Sequence, residues 1–185
     1  MKVYIANIEQ ISKKSDLSTR LSESELIQYN KFSNQKRKLQ FLIGHAIVKD
    51  VCGENVKTDN TGAPFLKKGG VSISHKDNWV FVAISDKQVG IDIENMNKKR
   101  DFKQISRFLG LPVPDNKIDF YKNFTLTEAL FKYRNNDTIP YKFFYKLNDY
   151  MICLVCMEPK ENIEFTYWNE SFSDVNSAVQ FLCSE

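Results

Sequence analysis

Histidine is scarce in this chain, at 2 of 185 residues, and the 4 cysteines follow no pattern of a bridge or a soft-metal site. Cys52 and Cys183 stand alone. Cys153 and Cys156 lie in Met151-Ile152-Cys153-Leu154-Val155-Cys156-Met157, which reads as a buried strand. Residues three apart in a strand face opposite sides, and no second ligand pair exists, which argues against zinc. Long apolar runs are also missing. No stretch approaches the length of a membrane-spanning helix, so no membrane role is expected. Strongly basic runs are absent too. A net charge of +3, with no Lys/Arg block reaching such a run, argues against nucleic acid, and suits an acidic protein partner or a phosphorylated ligand. Met1-Lys2-Val3-Tyr4 runs straight into a strand-like segment, which predicts no signal peptide and, with no disulfide framework, a reducing cytoplasm. What remains is ordinary for a globular protein: 42% hydrophobic and 26% charged.

The pattern of the chain predicts an α+β protein. Lys2 to Ile8 reads as a strand, and Asp16 to Gly53 as helical with an interruption near Asn30 to Ser33. Thr58 to Gly70 is rich in turn residues, and Val71 to Ser74 with Trp79 to Ser85 alternates like a hairpin. The order then recurs: a strand over Gln88 to Glu94, helices over Asp101 to Gly110 and Lys117 to Arg134, and a hairpin over Tyr141 to Leu147 and Tyr150 to Met157. The tail from Ile163 to Glu185 suggests one more strand and a short helix. This recurrence predicts two pseudo-duplicated halves, residues 1–88 and 89–185, each a small antiparallel sheet packed with helices, with an active site in the cleft between them. Residue identity between the halves is negligible, so the expectation rests on pattern. Two such halves in one chain make a monomer sufficient.

Chemistry concentrates in Val89-Gly90-Ile91-Asp92-Ile93-Glu94. Residues i and i+2 of a strand share a face, so Asp92 and Glu94 can converge on one ion while Val89, Ile91 and Ile93 face a core. Alone, the two acids could equally be the polar face of an edge strand. Glu128 and Lys132 stand at i and i+4 of a helix, which by itself is most often a solvated surface pair. Tyr121 and Thr125 share that stripe, with Phe120, Phe124 and Phe131 at core-type spacing beside it. Of the two histidines, His75 ends a strand behind Ser74, and His45 sits among apolar helix neighbours as a structural residue. Taken together, three carboxylates without His or Cys ligands suit a hard cation that keeps its waters, above all Mg²⁺, and Lys132 with His75 would complete a phosphate site. Chemistry on a phosphate ester or anhydride follows, with binding alone as the second possibility.

Three segments in order resemble the motifs of the 4′-phosphopantetheinyl transferase family, in its surfactin-synthetase-activating (Sfp) type: Ser72-Ile73-Ser74-His75, Val89-Gly90-Ile91-Asp92-Ile93-Glu94, and Phe124-Thr125-Leu126-Thr127-Glu128-Ala129-Leu130-Phe131-Lys132. Gly62-Ala63-Pro64 is similar to the family's Gly-Lys-Pro, and Phe41 to Lys49 to its preceding helix. Thr127 and Ala63 stand where the family usually has Lys, removing positive charge near the ligand's phosphates. The resemblance implies transfer of the 4′-phosphopantetheine arm of coenzyme A to a serine of an acyl or peptidyl carrier protein, releasing adenosine 3′,5′-bisphosphate. It further implies Mg²⁺ on Asp92, Glu94 and Glu128, and Glu128 as general base. Lys132 would stabilise the departing phosphate, and Ser74, His75 and Lys132 would hold coenzyme A. Two alternatives stay open: a degenerate member that binds coenzyme A or a carrier without efficient transfer, and an unrelated Mg²⁺-dependent phosphohydrolase.

Overall fold

The computed structural model describes residues 1–11, 17–59, 64–134, 138–168 and 178–184. It is of mixed α+β class, with several small sheets and four α-helices among the described residues. The strands are β1 (Lys2–Asn7), β2 (Lys57–Thr58), β3 (Pro64–Phe65), β4 (Gly70–Lys76), β5 (Trp79–Ser85), β6 (Val89–Asn95), β7 (Tyr141–Leu147), β8 (Tyr150–Cys156), β9 (Glu164–Tyr167) and β10 (Val179–Ser184). The helices are α1 (Glu23–Lys31), α2 (Gln35–Cys52), α3 (Phe102–Phe108) and α4 (Lys117–Tyr133). In the tail, two strands stand among the described residues; residues 169–177 lie outside them. None of the described helices is long and apolar enough to cross a membrane.

Two four-stranded sheets carry the molecule, in the orders β4-β5-β1-β9 and β10-β7-β8-β6. Strand β9 returns from the end of the chain to pair parallel with β1, so the first sheet draws on both ends of the sequence. Side chains alternate across each strand, which sorts the apolar residues into three cores. Val3, Ile5, Phe81 and Ala83 from the first sheet meet Ile91, Ile93, Ile152 and Leu154 from the second. The opposite face of the first sheet, through Val80 and Val82, packs on Leu42, Ile43 and Ile47 of α2. The opposite face of the second, through Met151, Cys153 and Val155, packs on Phe120 and Ala129 of α4. The layers therefore run helix, sheet, sheet, helix. Cys153 and Cys156 fall in different cores, as a spacing of three along a strand requires, and all four cysteines are free thiols.

Caps explain the helix limits. Ser22 and Glu25 form a reciprocal capping box at the start of α1, Asn34 accepts from Arg37 N–H to open α2, and Asn116 accepts from two backbone N–H groups to open α4. The break between α1 and α2 sits at the interruption read from sequence. Two glycines then let the helices lie close to the strands. A Cβ on Gly90 would stand 2.0 Å from the Ala129 carbonyl oxygen of α4, and one on Gly44 would stand 3.0 Å from Ile73 of β4. Any side chain at Gly90 would push α4 off β6.

Glu25 is a buried acid, 3% exposed, that ties α1 to the end of α2. It accepts from Ser22 N–H, the Ser22 hydroxyl, Asn55 Nδ2 and Val56 N–H, and bonds His45 Nδ1 at 2.7 Å. Burial alone would raise its pKa, but these donors overcome that and hold it down to about 2. The sign follows: a depressed folded pKa stabilises the fold above the ordinary carboxylate range and loses that contribution as pH falls through about 2. Glu25→Ala removes the cap and strands several buried donors. It should cost about 3 kcal/mol or more, measured as a lower urea midpoint at neutral pH.

Candidate functional site

Strands β4 and β6 are the edge strands of their sheets and run beside each other without a shared ladder. An edge strand leaves backbone N–H groups unpaired, and here serine side chains take them up. Ser72 Oγ accepts from Ile91 N–H at 3.0 Å, and Ser74 Oγ accepts from Ile93 N–H at 3.3 Å. This stitching brings Ser74 against Asp92, to which its hydroxyl donates at 2.9 Å. Helix α4, allowed close by Gly90, lowers Lys132 onto the same point. Its ammonium donates to Asp92 Oδ1 at 2.7 Å, Ser74 Oγ at 3.0 Å and the Ile91 carbonyl at 3.0 Å. An ammonium has three donors, so all of Lys132's are engaged.

Asp92 is 6% exposed, not the half-exposed strand acid that alternation alone suggests. Its Oδ2 is buried and has no hydrogen-bond partner among the described residues. Burial pushes the Asp92 carboxyl above its ordinary value, against the opposing pull of the Lys132 ammonium and the Ser74 hydroxyl. A buried, unbonded carboxylate oxygen is a place for a cation or a donor.

These residues line one cavity of about 420 Å³, whose wall also includes His75, Glu94, Glu128 and Arg37. The cavity thus gathers every site residue named from the sequence, Ser74, His75, Asp92, Glu94, Glu128 and Lys132. Gathering is not the same as convergence. Glu94 is turned into an ion-pair cluster, 2.7 Å from Lys76 and 3.0 Å from Arg100. Glu128 is exposed and makes no hydrogen bond or ion pair among the described residues. Among the described residues, no group of three His, Cys, Asp or Glu side chains is poised to hold a metal. The carboxylate oxygens left open to a hard cation are Asp92 Oδ2 and those of Glu128, with Glu94 keeping spare lone pairs beside its cations.

Arg37 and Arg134 add positive charge to the wall. Arg37, Lys76 and Lys132 surround His75, and desolvation, followed by these three charges, pushes its pKa down to about 3. The imidazole is therefore neutral at physiological pH, because a further cation would be repelled. A folded pKa below the unfolded one stabilises the fold above about pH 6.5, and the contribution is lost as pH falls from there through about 3. His75→Gln should flatten the melting-temperature profile across that window. A polyanion in the cavity relieves the repulsion, so inorganic pyrophosphate should bind with proton uptake near pH 5. Calorimetry in buffers of different ionisation enthalpy checks this, and a buffer-independent enthalpy would place His75 away from the anion.

One position on the helix needs correction. Phe131, at the core-type spacing of Phe120 and Phe124, is 71% exposed on the cavity rim. Tyr121 and Thr125, on the stripe of Glu128 and Lys132, are fully buried. Thr127 is exposed, and its hydroxyl donates back to the Asn123 carbonyl at 2.9 Å, in its own helix. Gly62 and Ala63 lie outside the described residues. Several participants are not singled out as site residues in the sequence, where His45 reads as structural. Lys76 shares a strand face with Ser74 at i+2, a signal that was available. Arg37, Phe41 and His45 recur at i, i+4 and i+8 on α2, and all three line the cavity. Arg100 had no signal, since it reaches Glu94 from a loop. A scan against protein-family models finds no match for the chain, and a search of curated proteins finds none either.

Proposed function

We propose that this chain transfers the 4′-phosphopantetheine arm of coenzyme A to a serine hydroxyl of an acyl or peptidyl carrier protein. The carrying observation is the buried Asp92–Ser74–Lys132 cluster, with Asp92 Oδ2 unbonded, on the wall of a cavity that Glu128 and His75 also line. Two sheets, each backed by one long helix and meeting at β4 and β6, support reading the fold as two similar halves with the site in the cleft between them. One such unit suffices as a monomer in the cytoplasm.

Asp92 and Glu128 would hold Mg²⁺, with Glu94 as a third ligand through its remaining lone pairs. The ion supplies charge neutralisation at the pyrophosphate. The other roles belong to the chain. The carboxylate of Glu128, free of competing bonds, takes the proton of the attacking serine. The serine oxygen bonds to the phosphorus next to the pantetheine. The bond from that phosphorus to the bridging oxygen breaks, and adenosine 3′,5′-bisphosphate leaves with the electron pair. Lys132 keeps a positive charge beside the departing oxygen, and Ser74 holds Asp92 in place. His75 and Arg37 face the ligand's remaining anionic groups.

One observation favours a second reading, binding without efficient transfer. All three Lys132 donors and both Glu94 oxygens are already engaged, so each must share its partners to act on a ligand. Incubation with coenzyme A, Mg²⁺ and apo-carrier proteins, followed by intact-mass measurement of the carriers, separates the readings. Gain of the arm's mass supports transfer. Coenzyme A binding without that gain supports the binder, and phosphate release to water without a carrier supports hydrolysis.

A further inference from the structure

The second histidine carries an inference that the helical pattern concealed. His45 is 6% exposed, yet it lines the same cavity as Asp92 and Lys132. Its ring is stacked on Phe41, with centroids 3.9 Å apart and planes at 29°. Its Nδ1 lies 2.7 Å from Glu25 Oε1. Glu25 is held by four further hydrogen bonds from Ser22, Asn55 and Val56, so neither the carboxylate nor the ring is free to turn. An ionised carboxylate only accepts, and it therefore selects the tautomer with the proton on Nδ1. In the neutral form of such a ring the lone pair is left on Nε2. That atom has no hydrogen bond among the described residues, and His45 lines the cavity, so Nε2 is the ring nitrogen left for a bound molecule.

We propose that His45, oriented by Glu25, is a ligand-recognition residue whose Nε2 accepts a hydrogen bond from a hydroxyl or amine group of the bound molecule, of the kind a nucleoside carries. The inference rests on the reading that this cavity holds coenzyme A. The polarity of the bond follows from the lone pair, which repels a phosphate oxygen and attracts an O–H or N–H. The ligand's anionic groups go instead to the wall where Arg37, His75 and Lys132 stand. A purely structural tie between α1 and α2 needs only Nδ1. The stacked ring and the open Nε2 are what a binding residue adds.

The test compares the parent with His45→Asn, which keeps an N–H near the Nδ1 position and removes Nε2. By calorimetry, affinity for coenzyme A and for ADP should fall about tenfold, the scale of one good neutral hydrogen bond, while inorganic pyrophosphate binds as before. Equal weakening of all three ligands, or none, overturns the proposal. If the variant does not fold, nitrogen-15 spectra of the parent decide. His45 should show a protonated Nδ1 and a bare Nε2 whose resonance moves on saturation with coenzyme A. An unmoved resonance overturns the proposal. Carrier loading read in parallel keeps the two ideas apart. His45-dependent nucleotide binding without loading of any carrier supports this inference and removes the transferase reading. Loading with unchanged coenzyme A affinity in His45→Asn does the reverse, and a parent that binds neither nucleotide removes both.

Discussion

Asp92→Asn should cut transfer of the arm by about 10³-fold, equivalent to roughly 4 kcal/mol of lost transition-state stabilisation. It should do so without unfolding the protein. The amide removes a charge that burial disfavours, while the Lys132 side chain, 26% exposed, retains access to water. The two effects oppose each other, and the net change in neutral-pH stability should stay within about 1 kcal/mol. The pH dependence gives a second check. The Asp92 pKa is raised in the fold, so its proton favours the folded state below the ordinary carboxylate range, and that contribution is lost as pH rises through the folded value. Stability of the parent should therefore decline across that range relative to Asp92→Asn, which does not titrate. Mg²⁺ should raise the melting temperature of the parent more than that of the variant, because only the parent offers the unbonded Oδ2. Near-parent transfer by a well-folded variant would remove the metal site from the proposal.

Lys132→Ala and Glu128→Gln should separate stability from catalysis. Truncating Lys132 removes three hydrogen bonds at once and leaves the Asp92 carboxylate buried with Ser74 as its remaining side-chain donor. A loss of about 2–4 kcal/mol in urea unfolding is expected, together with slower transfer. Glu128 supports nothing in the fold, so Glu128→Gln should melt as the parent does. Its transfer rate should still fall at least about 10²-fold, the scale of losing a general base. Both effects are measurable on the same preparations by denaturation and by carrier mass. A Glu128→Gln protein with parental rate would return Glu128 to an ordinary exposed helix residue.

Much of the fold was legible because it rests on local rules. Alternation located β1, β4 to β8 and the hairpin turns, and the helical pattern located α2, α3 and α4 within a few positions, whereas α1 begins at Glu23, well after the Asp16 that the pattern suggested. Side-chain environment on α4 was less legible. Phe131 has the core-type spacing of Phe120 and Phe124 yet is 71% exposed on the cavity rim, while Tyr121 and Thr125, on the stripe that holds Glu128 and Lys132, are buried. A single helical wheel cannot show a helix whose surroundings change along its length.

The sequence by itself determined the α+β class, most of the elements, the free cysteines, and six of the polar residues that meet in one cavity. Those follow from period, caps and residue chemistry, which are local. Tertiary structure alone decided what each of those residues does there. It buried Asp92 and left Oδ2 unbonded, engaged every donor of Lys132, and drew Glu94 away to Lys76 and Arg100. It also joined Glu25 to His45 across 20 residues and turned a helix histidine toward the cavity. The physical reason is that burial and charge pairing depend on which edges meet. Here β4 and β6 meet through serine hydroxyls rather than a backbone ladder, a contact that no pattern along either strand encodes.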